Sequence, residues 1–156
     1  MIKEPTKEQQ LIIDYPGNIV VTAKPGSGKT FTVVDKIGKV LLTLPDYKGV
    51  IAISFTNKAS DELKKRCSKN GISAKQSFFG TIDKFYISQI IIPFACHLTN
   101  GIAEYSVCNN LGSDPKYSSL IHFSTTPNSD QETMLVATLS EGKIFLEKSG
   151  EIALYI

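Results

Sequence analysis

The sequence has no tryptophan, two histidines and three cysteines among its 156 residues. Cys67, Cys96 and Cys108 are odd in number and follow no metal-ligand spacing. That argues against a disulfide-stapled scaffold or a zinc ribbon and for a reduced, cytoplasmic protein. His97 and His122 are far apart in sequence and outline no zinc site. The opening Met1-Ile2-Lys3-Glu4-Pro5 lacks the apolar core of a secretory leader. The most apolar stretch, Ile87 to Ala95, is too short for a membrane span and is broken by Ser88, Gln89 and Pro93. Low-complexity tracts and internal repeats are absent. What remains is an ordinary globular composition, 42% hydrophobic and 21% charged.

A chain of this length makes one domain, or one domain with an insertion. Its net charge of +2 is unevenly spread: residues 1–95 carry 14 Lys and Arg against 8 Asp and Glu, residues 96–156 carry 3 against 7. A basic front half suits a polyanion-binding surface. A solvated charged face gives the same count, so charge alone does not decide.

Local patterns predict alternating elements. Thr6 with Gln9 forms a capping box for a short helix reaching about Ile13, and Pro16-Gly17 breaks it. Asn18 to Thr22 is a β-branched run expected to be a buried strand. After a glycine-rich turn, Val34, Ile37, Leu41 and Leu44 recur at helical spacing. Val50 to Ser54 reads as a second buried strand. Asn57 opens a helix with Ala59, Leu63 and Cys67 on one face, stopped by Asn70-Gly71. Gln76 to Phe79 reads as a third strand. Thr81 caps a helix carrying Ile82, Phe85, Tyr86 and Ile90, expected to end before Pro93. The alternation predicts an α/β fold, a parallel sheet with flanking helices. From Asn109 to Asn128 the chain is rich in loop-forming residues. Thr133–Leu139, Lys143–Glu147 and Glu151–Ile156 then read as an antiparallel meander turning at Glu141-Gly142 and Ser149-Gly150. The expected organisation is a lobe over residues 1–95 and a small β-rich accessory segment over 96–156.

Ala23-Lys24-Pro25-Gly26-Ser27-Gly28-Lys29-Thr30, between an expected strand and an expected helix, has the form of a P-loop. Gly26 and Gly28 let the backbone turn tightly and come close to phosphates. Successive N–H groups then make an anion nest, and the following helix adds the positive end of its dipole. Lys29 supplies a mobile positive charge for the β- and γ-phosphates, and Thr30 a hydroxyl ligand for Mg²⁺. The pattern predicts a nucleoside-triphosphate site with Lys29 and Thr30 as its catalytic residues.

Three further segments narrow the class. Pro5-Thr6-Lys7-Glu8-Gln9-Gln10 resembles the Q motif of the UvrD/Rep-like superfamily 1 DNA helicases. Ile53-Ser54-Phe55-Thr56-Asn57-Lys58-Ala59-Ser60-Asp61-Glu62-Leu63 resembles their motif Ia, and Phe79-Gly80-Thr81-Ile82-Asp83-Lys84-Phe85 is similar to their motif Ib. The P-loop matches the family form that begins with alanine. The four motifs stand in family order and cover residues 5 to about 95. The resemblance implies a RecA-like P-loop lobe that binds ATP and Mg²⁺, with Gln9 reading the adenine edge; a helix-cap role is the alternative for Gln9, and Gln10 is its neighbouring candidate. It further implies that Phe55, Thr56, Asn57 and Thr81 contact single-stranded DNA, against ordinary core packing for Phe55 and a helix cap for Thr81. Where many members have histidine this chain has Asp83, so no DNA contact is carried over there. Lys64, Lys65, Arg66 and Lys69 could touch phosphates but read better as a solvated helix face.

Hydrolysis also needs an acidic strand-end residue for Mg²⁺, a carboxylate to place the water, and arginines against transition-state charge. The family supplies them from a later Asp-Glu motif (Walker B) and a second lobe. The adjacent Asp-Glu pair of this chain, Asp61-Glu62, belongs to the motif Ia helix. The chain is therefore expected to be the front part of an ATP-dependent, 3′→5′ DNA helicase or translocase, working with further lobes or subunits. The alternatives are the helicase component of a nuclease-coupled repair or anti-phage system, and a non-catalytic nucleotide- or DNA-binding module.

Overall fold

A computed structural model of the chain describes residues 4–97, 99, 104–109, 115–116, 137–145, 148–150 and 153. The chain falls into two compact units, Met1–Thr81 and Ile82–Ile156.

In the first unit, α1 (Lys7–Asp14) starts from the expected capping box: the Thr6 hydroxyl accepts the Gln9 N–H, and the Gln9 side chain accepts the Thr6 N–H. It ends at Tyr15, directly before Pro16, where a helical conformation is disfavoured. Helix α2 (Lys29–Thr43) leaves the glycine-rich turn at Gly28 and buries Thr32, Val34, Gly38 and Leu41. The small residue in that stripe has a steric reason. A Cβ on Gly38 would stand 2.8 Å from the Ile72 side chain. Strand β1 (Ile51–Ile53) leads into α3 (Asn57–Lys69), whose first turn is capped by the Thr56 hydroxyl and which buries Ser60 and Cys67. The chain leaves α3 through Asn70 and Gly71, the latter at φ +70°. Strand β2 (Phe78–Gly80) pairs parallel to β1, Ile51 opposite Phe78 and Ile53 opposite Gly80. Parallel neighbours need a crossover, and α3 provides it, packing on β2 and α2. Helix α1 packs on α2. The mixed α/β class and the parallel pairing are as expected.

Two strand expectations need correction. Residues 18–22 join no ladder and lie exposed, Val20 at 92%. Strand β1 forms, but Ile51 and Ile53 are 61% and 47% exposed instead of buried. β-branching marks a segment fit for a sheet. It does not supply the neighbour that would bury it, and among the described residues this sheet has two strands.

In the second unit the backbone runs helically through α4 (Ile82–Phe85), a π-turn (Tyr86–Ile91), α5 (Ile92–Phe94) and a 3₁₀ turn (Ala95–His97). The helix was expected to stop before Pro93, yet it passes through. The π-turn lies directly upstream, with the Ile92 N–H donating to the Ile87 carbonyl five residues back. A widened turn is one of the few places where a helix accommodates a proline, which brings no N–H and crowds the carbonyl four residues before it. Ile87, Ile91 and Ala95 form one side of a core completed by Leu139, Ile144 and Phe145. Strand β3 (Ser106–Cys108) pairs with β4 (Lys143–Phe145), and the pairing is parallel. Of the three runs expected to form the meander, the described residues show a strand only in the middle one, and its partner is β3, outside the meander. Residues 137–140 are helical, with the Glu141 N–H donating to the Ala137 carbonyl, and 149–150 and 153 are helical too. Gly142, at φ +68°, does make the expected turn before β4. Residues 133–136, 146–147, 151–152, 154–156 and nearly all of the loop-rich 109–128 stretch lie outside the described residues.

Candidate functional site

The glycine-rich turn is closed by the Ser27 N–H donating to the Lys24 carbonyl at 3.3 Å. Gly26 and Gly28 stand at φ +78° and +85°, the left-handed region that disfavours a side chain. At Gly26 an added Cβ would meet open space; at Gly28 it would lie 2.8 Å from the Gln9 amide nitrogen. Gly28 is thus required twice, by its backbone and by a neighbour. Lys29 is exposed at the start of α2 and its ammonium donates to the Ala23 and Lys24 carbonyls at 3.0 and 2.9 Å. The turn is wrapped around this lysine. Thr30 follows on the same first turn, exposed.

Gln9 joins the turn from α1. Its amide nitrogen donates to the Ser27 carbonyl at 3.0 Å while its oxygen accepts the Thr6 N–H at 3.0 Å. The helix-cap role weighed from sequence is present, and the same amide also reaches the P-loop turn. Gln10 turns elsewhere: its amide donates to Asp14 at 2.8 Å. Lys39 also binds that carboxylate, at 2.6 Å, and these contacts, Lys39 first, hold Asp14 below the usual aspartate range.

Between α1, residues 19–23 and α2 lies a cavity of about 660 Å³, within the span of small-molecule sites. Gln9, Ile12, Val21, Lys29, Val33 and Lys36 are among its walls. It combines an apolar interior with a cation and an amide at its edges. Lys36 was not singled out from sequence. Its signal was available, since it lies two helical turns after Lys29 on the same stripe.

The second group of predicted residues gathers at the carboxyl ends of β1 and β2. The Ser54 N–H donates to the Gly80 carbonyl at 2.9 Å, extending the ladder to the point where both chains leave it. Parallel pairing thus brings the Phe55-Thr56-Asn57 segment and Thr81 to the same end of one sheet. Phe55 is 100% exposed, so the core-packing alternative is overturned. The Thr56 hydroxyl accepts the Ala59 N–H at 3.3 Å and caps α3. Asn57 is exposed and Thr81 half-buried. Asp83 accepts a hydrogen bond from the Ser149 hydroxyl at 3.0 Å, a partner 66 residues away. Lys64, Lys65 and Lys69 lie exposed on α3, and Arg66 pairs with Glu62 at 2.7 Å along the helix. Among the described residues, no three His, Cys, Asp or Glu side chains gather as a metal site, and no helix is long and apolar enough to cross a membrane.

The chain is similar in sequence to known proteins. Over 86 residues the chain is 43% identical to Gabija protein GajB of Bacillus cereus (strain VD045), covering 55% of this chain and 17% of that protein. It is 41% identical over 68 residues to an ATP-dependent helicase/nuclease subunit of Clostridium novyi (strain NT), covering 41% and 6%. The same-named subunit of Streptococcus agalactiae serotype III (strain NEM316) is 34% identical over 88 residues, covering 55% and 7%. The chain thus spans under a fifth of the length of these relatives. The family model for the UvrD/REP helicase N-terminal domain matches residues 5–141. A match over most of the chain settles its kinship: it belongs to the UvrD/REP helicase N-terminal domain family.

Proposed function

We propose that this chain is the ATP-binding front part of a cytoplasmic, ATP-dependent DNA helicase or translocase, moving 3′→5′ on single-stranded DNA, with residues 1–95 as the ATP lobe and 96–156 as an accessory segment. The observation that carries the reading is the convergence of Lys29, the Ala23–Gly28 turn and Gln9 on one cavity-lined edge. Lys29 holds the phosphates with the N–H groups of Lys24, Gly26 and Gly28, while Ala23, Pro25 and the bond from Ser27 to the Lys24 carbonyl shape the turn. Gln9 offers an amide donor and an acceptor to adenine. The residues also fit Mg²⁺: Thr30 presents one exposed hydroxyl, and magnesium keeps several waters and takes few protein oxygens. An ion held by Thr30 would supply positive charge against the phosphates.

Phe55, exposed at a strand's carboxyl end, is placed to stack on a base, and Asn57 and Thr81 to reach backbone phosphate. Thr56 caps α3 by accepting with its hydroxyl oxygen, and the same hydroxyl keeps an O–H to donate to phosphate. The test is calorimetry of Mg-ATP with the purified chain and with Lys29→Ala. Binding lost in the variant supports the reading; equal affinity in both removes the phosphate role.

The names of two relatives favour one more specific form, the helicase component of a nuclease-coupled repair or anti-phage machine. Purification of the full-length protein from its native cells should then bring with it a DNA-degrading activity that depends on ATP. A full-length protein that unwinds DNA with no nuclease in company would rule this form out.

A further inference from the structure

We propose that Lys36 is a positioning residue that seats the Gln9 helix on the phosphate-binding helix and thereby sets adenine selectivity. The proposal deepens the nucleotide reading above and rests on it. Helix α1 has eight residues, too few to be stable alone, and its last turn carries no basic side chain. The final carbonyls of any helix lack partners within it and form the negative end of its dipole. Here α2 answers that need. The Lys36 ammonium donates to the Tyr15 carbonyl at 2.7 Å, to Ile12 at 2.9 Å and to Ile13 at 3.4 Å. An ammonium has three donors, and these three carbonyls use them all. The Ile12 and Ile13 contacts are partly buried, unlike the exposed Lys39–Asp14 pair one turn further along α2.

Geometry ties this clamp to the nucleotide edge. Ile12 and Ile13 follow Gln9 by one helical turn, and Lys36 follows Lys29 by two. One end of α1 is therefore pinned to α2 by Lys36, and the other meets the turn before α2 through the Gln9–Ser27 bond. Gln9 has one amide with which to meet a base edge, and a tilt of α1 would move that amide off target while leaving Lys29 in place. Lys36 also lines the cavity with Gln9 and Lys29.

The experiment measures affinities of the purified chain for Mg-ATP and Mg-GTP by calorimetry, with urea unfolding as the check on folding. Lys36→Met keeps the aliphatic stem and removes the ammonium. It is expected to narrow the ATP-over-GTP ratio about 2- to 10-fold, the worth of one net hydrogen bond, with GTP affinity unchanged. Lys36→Arg should restore most of the ratio. Lys39→Met removes the same charge from the same helix and should leave the ratio alone. In a Gln9→Ala background, Lys36→Met should narrow it no further. A merely structural lysine would lower both nucleotides alike, and that result overturns the proposal. A folded Lys36→Met chain with an unchanged ratio also overturns it. If Gln9→Ala itself leaves the ratio untouched, the adenine reading fails and the proposal with it; a ratio lost in Gln9→Ala but kept in Lys36→Met refutes Lys36 alone. Lys36→Gln, which retains a donor, carries the same comparison if Lys36→Met does not fold.

Discussion

Gly28→Ala is the perturbation whose consequence can be worked out most fully. Two penalties fall on it. An alanine held in the left-handed region costs about 1–2 kcal/mol, and Gly28 sits at φ +85° and ψ +20°. The new Cβ would also lie 2.8 Å from the Gln9 amide nitrogen, closer than such a contact allows, so the amide must swing away. That breaks its bond to the Ser27 carbonyl and loosens the one from the Thr6 N–H. Each is worth about 0.5–1.5 kcal/mol net, and exposure puts them at the low end. Gly26→Ala isolates the first penalty, since φ is +78° and the Cβ would meet open space. Alanine also stiffens the unfolded chain, which stabilises both variants by about 0.4–1 kcal/mol and cancels between them. Gly28→Ala should therefore be less stable than Gly26→Ala by about 1 kcal/mol. In a Gln9→Ala background that excess should vanish. Urea unfolding followed by far-ultraviolet circular dichroism reads the difference as a midpoint shift of about 0.5 M. Equal destabilisation of the two glycine variants, or an excess that survives Gln9→Ala, would refute the collision.

Gln9→Ala should narrow the ATP-over-GTP ratio, whereas Gln10→Ala, whose amide is turned to Asp14, should not; nucleotide titrations of both check this. The 156-residue chain should release essentially no phosphate from ATP with or without single-stranded DNA, because its Asp61-Glu62 pair sits on α3 and not at a strand end. An arginine against transition-state charge is alone worth roughly 10³–10⁵ in rate. DNA-stimulated hydrolysis that disappears in Lys29→Ala would show that the chain holds a complete site. Cys67 is 2% exposed and burial raises its thiol pKa, so a disulfide reagent at mildly alkaline pH should label Cys96 promptly and Cys67 on unfolding. Equal labelling rates in the folded chain would contradict that burial.

The parts of the fold that were legible in the sequence are those made by neighbours in the chain. Thr6 with Gln9 before α1, and Asn70-Gly71 after α3, act over three or four residues, and each does what its chemistry predicts. Strand partners are chosen at long range, which is why residues 18–22 read as a strand and pair with nothing described, and why β4 pairs parallel with β3. Ala137 to Ser140 carries no helix signal in so short a window; its helical turn places Thr138 and Leu139 inside the second unit's core. For the candidate site, the P-loop and the strand-end group were readable because they are contiguous motifs. The Gln9–Ser27 bond, the Lys36 clamp and the Ser149–Asp83 bond join residues 18, 21 to 24 and 66 positions apart, and no local pattern announces them.

The π-turn at Tyr86–Ile91 bears on how this chain can change over generations. Losing one residue inside an ordinary helix rotates everything beyond it by about 100° and turns a buried stripe to water. A π-turn holds one residue more than the α-turn it replaces. Deleting exposed Ser88 or Gln89 could be absorbed by tightening the turn, leaving Phe85 before it and Ala95 after it on their present sides. Ile87 and Ile91 would move from four apart to three, a spacing that still shares one face. A one-residue gap in this stretch would therefore keep the core's register, at the cost of the room that the widened turn gives Pro93.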